Sequence, residues 1–170
     1  DARREQKGWN QIGFDDSHWR PVVIQEAPKG ILRPQRAAPV KIMERYDIQK
    51  VTKLNADQVA SASVSTKRIV DPSAFVLDMG QNLAGFPEIT VRGKRGQKVT
   101  LIVAEALTDE GACNQRQTGR QHYYEYTLKG EGDETWHPRF SYYGFRYIQV
   151  EGAVLKGQKN PQKLPVLKNI

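Results

Sequence analysis

The densest hydrogen-bonding chemistry in this chain lies in one run, Leu77-Asp78-Met79-Gly80-Gln81-Asn82-Leu83-Ala84-Gly85-Phe86. Asp78, Gln81 and Asn82 place many donors and acceptors in few positions, and Gly80 and Gly85 let the backbone turn sharply. Such a group can present a platform for sugar hydroxyls. It can also be a turn whose side chains satisfy their own backbone, and residue types alone favour the turn. The aromatic residues Trp136, Tyr142, Tyr143 and Phe145 could stack on sugar faces, although such rings more often fill the core and rim of a sheet. The candidate ligand-binding residues are therefore Asp78, Gln81, Asn82, Trp136 and Tyr142.

Other chemistries find less support. Hydrolysis of a glycosidic bond takes two carboxyl groups placed across it. Asp78, Glu88, Glu105, Asp109 and Glu110 are available, but no spacing pairs them, and Glu105 falls before a turn where acids are commonly solvated. His18, His122 and His137 are far apart and share no metal-ligand spacing, so no zinc site is expected. There is no nucleophile-elbow sequence and no glycine-rich phosphate loop leading into a helix. The residues point to no catalytic group, no metal and no cofactor.

A chain of 170 residues is one ordinary domain, or one domain and part of another. It can bury about two-thirds of its unfolded surface without help from a metal or disulfide. Cys113 is the single cysteine, so no internal bridge forms. No apolar run approaches the roughly 18 residues of a membrane span. The first residues, Asp1-Ala-Arg-Arg-Glu-Gln6, are neither an initiator methionine nor a signal peptide, so the chain reads as a piece of something longer and its compartment stays open. The net charge of +7 is concentrated at one end, where residues 153–170 carry Lys156, Lys159, Lys163 and Lys168 and no acid. A solvated basic linker or disordered tail accounts for it better than a nucleic-acid surface does.

The elements that must position the candidates are short strands. Asp15, Asp16 and Ser17 suit a helical turn that Pro21 ends, with Trp9, Phe14 and Trp19 as apolar anchors. Pro28, Pro34 and Pro39 punctuate an extended region. Val40–Ile48 is strand-like with its polar side outward, and residues 53–67 are a polar connection with one weak strand near Val64. Further strands are expected at Phe75–Asp78, Pro87–Arg92, Val99–Glu105, Tyr123–Leu128, Trp136–Phe140 and Phe145–Val150. Turns fall at Gly93–Gly96, Asp109–Gly111, Gly130–Asp133 and Tyr142–Gly144. Strict alternation in the last strand puts Phe145 and Tyr147 on one face and Ile148 and Val150 on the other. The fold class is all-β: a jelly-roll-like antiparallel β-sandwich with little helix.

Four blocks carry a resemblance. They are Phe14-Asp-Asp-Ser-His-Trp19, Leu77-Asp-Met-Gly-Gln-Asn-Leu-Ala-Gly85, Val99-Thr-Leu-Ile-Val-Ala-Glu-Ala-Leu107 with Asp109-Glu-Gly111, and Tyr126-Thr-Leu-Lys-Gly130 continuing through Pro138-Arg-Phe140 to Gly144-Phe-Arg-Tyr147. The first recurs in sandwich modules of many sugar hydrolases; the other three, in this order and spacing, are specific. With them the chain resembles the accessory β-sandwich region of the bacterial α-L-rhamnosidases, which are large inverting glycoside hydrolases. The resemblance spans residues 1 to about 152 and is poor between 50 and 70. Met79 stands where an aromatic is usual, and residues 113–121, with Gln115, Gln117 and Gln121, are less typical.

The resemblance implies a tail of a preceding β-sandwich module over 1–45, a sandwich over 46–152 and the basic tail over 153–170. It implies that the catalytic acids sit in an (α/α)6 barrel elsewhere in the parent, since the family's acidic segment has no counterpart here. The expected partners are that barrel and a rhamnose-containing carbohydrate, with no nucleic acid and no membrane. The expected role is to buttress the barrel of an enzyme that removes terminal α-L-rhamnose, a type often exported. Two other classes are a carbohydrate-binding module using Gln81, Asn82, Trp136 and Tyr142, and a structural assembly or adhesion sandwich.

Overall fold

β-Branched and aromatic residues at alternating positions build two stacked sheets in the computed structural model, which describes residues 1–55, 74–116, 118 and 121–170. The strands are β1 (Lys50–Lys53), β2 (Phe75–Gly85), β3 (Ile89–Arg92), β4 (Lys98–Ala104), β5 (Ala106–Leu107), β6 (Cys113–Asn114), β7 (Tyr123–Thr127), β8 (Asp133–Trp136), β9 (Tyr143–Glu151), β10 (Val154–Leu155) and β11 (Val166–Asn169). One sheet runs β1-β2-β9-β4-β7, the other β10-β11-β3-β8, and β5-β6 form a separate small hairpin. Every pairing is antiparallel except β10 with β11. The helix among the described residues is a single 3-10 turn, Ala2–Arg4. This is the all-β sandwich that the alternation predicts.

Alternate residues meet between the sheets. Phe75, Leu77 and Met79 of β2, Val99, Leu101 and Val103 of β4, and Ile89 and Val91 of β3 share one buried cluster with Phe145, Ile148 and Val150 of β9. Burying such side chains contributes about 1.5–3 kcal/mol each. Where edge strand β7 meets edge strand β8, aromatic rings close the seam. Trp136 stacks on Tyr126 at 5.1 Å and meets Tyr124 edge-on at 6.5 Å. The Tyr126 hydroxyl donates to Glu134 Oε2 at 2.8 Å, and the Glu134 carboxylate also accepts from the backbone N–H groups of Lys129 and Gly130. Burial, and then this carboxylate, push the Tyr126 phenol up. One side chain thus ties the β7–β8 turn to the wall of the core.

The β5–β6 hairpin lies over the outer face of the five-stranded sheet. Leu54, Ala74, Val76 and Ala112 form one small cluster there, Ile102, Ala104 and Cys113 another, and Leu107 and Tyr147 touch both. Beneath the hairpin Gln149 is fully buried. Its Oε1 accepts from the Cys113 N–H at 3.0 Å and its Nε2 donates to Glu151 Oε1 at 3.0 Å, so burial leaves neither end unsatisfied. Desolvation pushes the Cys113 thiol up to about 12, which makes it a packing residue rather than a nucleophile.

Six expectations need correction. Residues 153–170 are no disordered tail: β10 and β11 extend the second sheet, Leu167 enters the main core and Val154 is buried. The lysines misled because their charged ends sit in water while the alternate side chains pack; Lys168 reaches Asp133 across the sheet surface at 2.7 Å. Residues 40–48 form no strand. The strand expected at Trp136–Phe140 lies instead at Asp133–Trp136, starting at the last residue of the expected turn and ending ahead of Pro138, which has no N–H to give to a ladder. The run 77–85 is not a turn outside the sheet but all of β2 after its first two residues, and Tyr143-Gly144 open β9 instead of turning the chain before it. Finally, Phe145 shares the main core with Ile148 and Val150, while Tyr147 points to the outer face. The strand expected near Val64 lies outside the described residues.

The N-terminal residues are docked on the sandwich. Ala2 packs into the main core, the Arg3 carbonyl accepts from Arg95 Nη2 at 3.3 Å, and Arg139 lies 3.6 Å from Glu5. Phe14 and Trp19 pack ring against ring at 5.5 Å, with the indole N–H of Trp19 donating to Gln6 Oε1 at 2.8 Å. Trp9 stays largely exposed.

Candidate functional site

The polar run acquires its shape from how β2 pairs with β9. Phe75–Asp78 run opposite Val150–Tyr147, and pairing resumes with Leu83–Gly85 opposite Phe145–Tyr143. Residues 79–82 of β2 therefore face the single residue Arg146 of β9. Surplus residues on one strand of a pair make a bulge that bends the strand and re-aims side chains. Gly80 sits in this bulge at φ +84°, and a Cβ there would lie 2.9 Å from Gln49 Cγ, so both conformation and space call for glycine.

Asp78 locks the bulge. Its Oδ1 accepts from the Gly80 N–H at 2.7 Å, an Asx turn, and its two oxygens accept from Arg146 Nε at 2.8 Å and Nη2 at 3.0 Å. The Arg146 guanidinium first, and the Gly80 N–H with it, hold the Asp78 carboxyl below the usual carboxylate range. Arg146 also lies over the Tyr147 ring, 5.1 Å from its centroid. Arg146 and Tyr147 thus both leave β9 on the side of Asp78. That break in alternation is what returns Phe145 to the core.

Gln81 and Asn82 are exposed at the tip of the bulge. Gln81 hydrogen-bonds the Tyr46 hydroxyl, which itself donates to Glu44. The other two candidates lie elsewhere. Tyr142 precedes β9, beyond the Gly85–Tyr143 pair, and is 55% exposed. Trp136 belongs to the other sheet and is engaged with Tyr124 and Tyr126. The structure brings Asp78, Gln81 and Asn82 together on one bulge and leaves Trp136 and Tyr142 apart from it.

Sequence reasoning overlooked Arg146, whose tie to Asp78 crosses 68 positions. It also overlooked the pairing of Glu105 with Gly144: a Cβ on Gly144 would stand 3.1 Å from Glu105 Oε1, so this carboxylate rests against bare backbone. The glycine inside the Gly144-Phe-Arg-Tyr147 block was the available signal for such a close approach. Other carboxylates are paired with cations: Glu88 with Arg45, Glu125 with Lys98, and Asp133 with both Arg92 and Lys168. Among the described residues no group of three His, Cys, Asp or Glu could hold a metal ion, and no helix is long and apolar enough to cross a membrane.

The sequence model of the bacterial alpha-L-rhamnosidase concanavalin-like domain matches residues 68–167, a span that takes in the Asp78 bulge, β2 to β10 and the first half of β11. The chain belongs to the bacterial α-L-rhamnosidase family. The rhamnosidase N-terminal domain matches residues 1–44. An alpha-L-rhamnosidase of Streptomyces avermitilis is 37% identical over 157 residues, covering 89% of this chain and 13% of that protein. One from Formosa agariphila is 31% identical over 163 residues, covering 92% of this chain and 15% of that one. In solved structures, the Streptomyces avermitilis alpha-L-rhamnosidase complexed with L-rhamnose superposes with TM-score 0.71 at 33% identity, over 99% of this chain and 15% of its own. The native Aspergillus terreus enzyme gives 0.70 at 28% identity, over 99% of this chain and 18% of its own. This rhamnosidase sandwich thus spans only about one-seventh of the length of such relatives.

Proposed function

We propose that this chain is a non-catalytic accessory sandwich of an α-L-rhamnosidase, and that the whole polypeptide removes terminal α-L-rhamnose from glycans or glycosides. The observation that carries this is the commitment of the most distinctive motif: its one carboxylate, Asp78, closes an Asx turn and an arginine fork on the outer face of the five-stranded sheet. Inverting hydrolysis needs a carboxylic acid to protonate the leaving oxygen and a carboxylate to activate water on the opposite face of the sugar. On this reading both belong to an (α/α)6 barrel elsewhere in the polypeptide, and the sandwich buttresses that barrel. Exposed aromatic residues at one end of the sandwich, Phe140 at 98%, Tyr142 at 55% and Tyr123 at 46%, support a protein contact there.

The test is hydrolysis of a chromogenic α-L-rhamnoside. The 170-residue chain should release no chromophore above a no-protein control, while the full-length polypeptide turns the substrate over. Hydrolysis by the chain alone would overturn the proposal.

A further inference from the structure

At the end of the sandwich where β4 begins, hydrogen bonds join four segments into one surface. The Gln97 side chain is its centre: Oε1 accepts from the Lys94 N–H at 2.7 Å, and Nε2 donates to the Lys163 carbonyl at 2.9 Å. The Gly96 N–H donates to the Leu128 carbonyl at 3.0 Å. Arg95 donates to the carbonyls of Lys129 at 3.4 Å and Arg3 at 3.3 Å. These bonds gather Arg3, Lys94, Arg95, Lys129 and Lys163 on fixed backbone. Two of the five cations are answered, Arg3 by Asp1 at 2.6 Å and Lys129 by Glu131 at 3.0 Å. The neighbouring Glu134 carboxylate is taken up by the Tyr126 hydroxyl and the Lys129 and Gly130 N–H groups. Lys94, Arg95 and Lys163 are exposed, and among the described residues no carboxylate pairs with them. Like charges held side by side without counterions make a field that attracts anions.

Lys163 adds an independent observation. Among the described residues it is the one non-glycine residue with left-handed backbone, at φ +54°. Glycine or asparagine takes that conformation at less cost, so the backbone does not call for lysine there. The exposed rings Tyr123, Phe140 and Tyr142 are at the opposite end, where β7 and β9 begin, since the start of β4 pairs with the ends of those strands. Single-stranded nucleic acid is held by cations interleaved with aromatic stacking platforms, whereas a chain of acidic sugars is met by cations and polar groups alone.

We propose that this surface binds the anionic groups of an acidic polysaccharide, carboxylate or sulfate, and tethers the polypeptide to it. This rests on the reading of the full-length polypeptide as a glycan hydrolase. It is separate from recognition of a single sugar at the Asp78 bulge, which lies toward the other end of β9.

Retention of the 170-residue chain and of the full-length polypeptide on immobilised polygalacturonate, dextran sulfate and neutral dextran tests this. Both proteins should bind at least one acidic matrix and not the neutral one, and salt should release them. The two acidic matrices distinguish carboxylate from sulfate. Lys94→Gln with Lys163→Asn should weaken binding by about tenfold or more. Lys41→Gln with Lys50→Gln, the same charge change outside this surface, should weaken it by less than about twofold. Lys163→Asn alone should melt no lower than the parent, because asparagine accepts left-handed backbone. If the double variant does not fold, Lys94→Gln alone should still weaken binding. Equal losses in the two pairs would reduce retention to net charge and overturn the proposal. So would retention on neither acidic matrix, tighter retention on single-stranded DNA, or a lower melting temperature for Lys163→Asn with binding unchanged. Retention of the 170-residue chain that the full-length polypeptide lacks would also overturn it, as the surface would then be covered by another domain. Retention of a full-length polypeptide with no rhamnosidase activity would sink the functional reading alone.

Discussion

Phe145→Ala should lower the unfolding free energy by about 3–5 kcal/mol, whereas Tyr147→Ala should lower it by only about 1–2 kcal/mol. Phe145 is 2% exposed and sits between the two sheets among Phe75, Ile148 and Val150. Truncating it removes the transfer energy of a ring and leaves a cavity that strands fixed by ladders on both sides cannot collapse into. Tyr147 is only half-buried on the outer face, where it touches the hairpin layer and the Arg146 guanidinium. Urea unfolding with unchanged slope would measure both. Equal losses would mean that the two rings share a face after all, and that β9 keeps strict alternation through Arg146.

The second large effect is expected in the turn between β7 and β8. Gly130 has φ +89°, and a Cβ there would lie 2.4 Å from the backbone nitrogen of Arg95 and 2.8 Å from its Cα. Neither atom can swing aside, because the Gly130 N–H is held by Glu134 and the Gly96 N–H is bonded to the Leu128 carbonyl. Gly132, two residues on, has φ +95° but meets nothing within 4 Å. Gly132→Ala should therefore carry only the conformational cost, about 1–2 kcal/mol. Gly130→Ala adds backbone overlap and should cost about 4 kcal/mol or more, enough to be seen in expression yield as well as in a denaturation midpoint. Similar losses for the pair would show that the 93–96 turn yields and that close approach is not what requires glycine at 130.

What was legible in the sequence follows the range of the interaction that decides it. β3 and β4 could be read with their inward faces, since Ile89 and Val91, and Val99, Leu101 and Val103, alternate within strands that carry no surplus residue of their own; the register shift beside β3 falls on β11. The turn character of Asp78 could be read from residue type, because an Asx turn is a two-residue matter. The bulge could not. It depends on β2 carrying surplus residues against one residue of β9, a mismatch that no single strand reveals. The same holds for Arg146, whose partner lies far off in sequence, and for Trp136, whose packing on Tyr126 joins two different sheets. The last strands escaped for a different reason. Val154–Leu155 and Val166–Asn169 are too short to show a period, and four lysines around them mimic a linker. Val40–Ile48 has strand-like residue types yet joins no ladder, because pairing is decided by a neighbouring edge and not by the segment's own residues.

The measurement that bears most directly on a supporting rather than a ligand-binding role is a titration of the folded chain with L-rhamnose, followed by backbone amide shifts, with D-glucose as control. Amides of Asp78–Gly85 should stay in place at millimolar sugar, because Asp78 is held by Gly80 and Arg146 and the bulge serves the sandwich. Saturable shifts specific to L-rhamnose and centred on Asp78, Gln81 and Asn82 would contradict this and make the chain a carbohydrate-binding module.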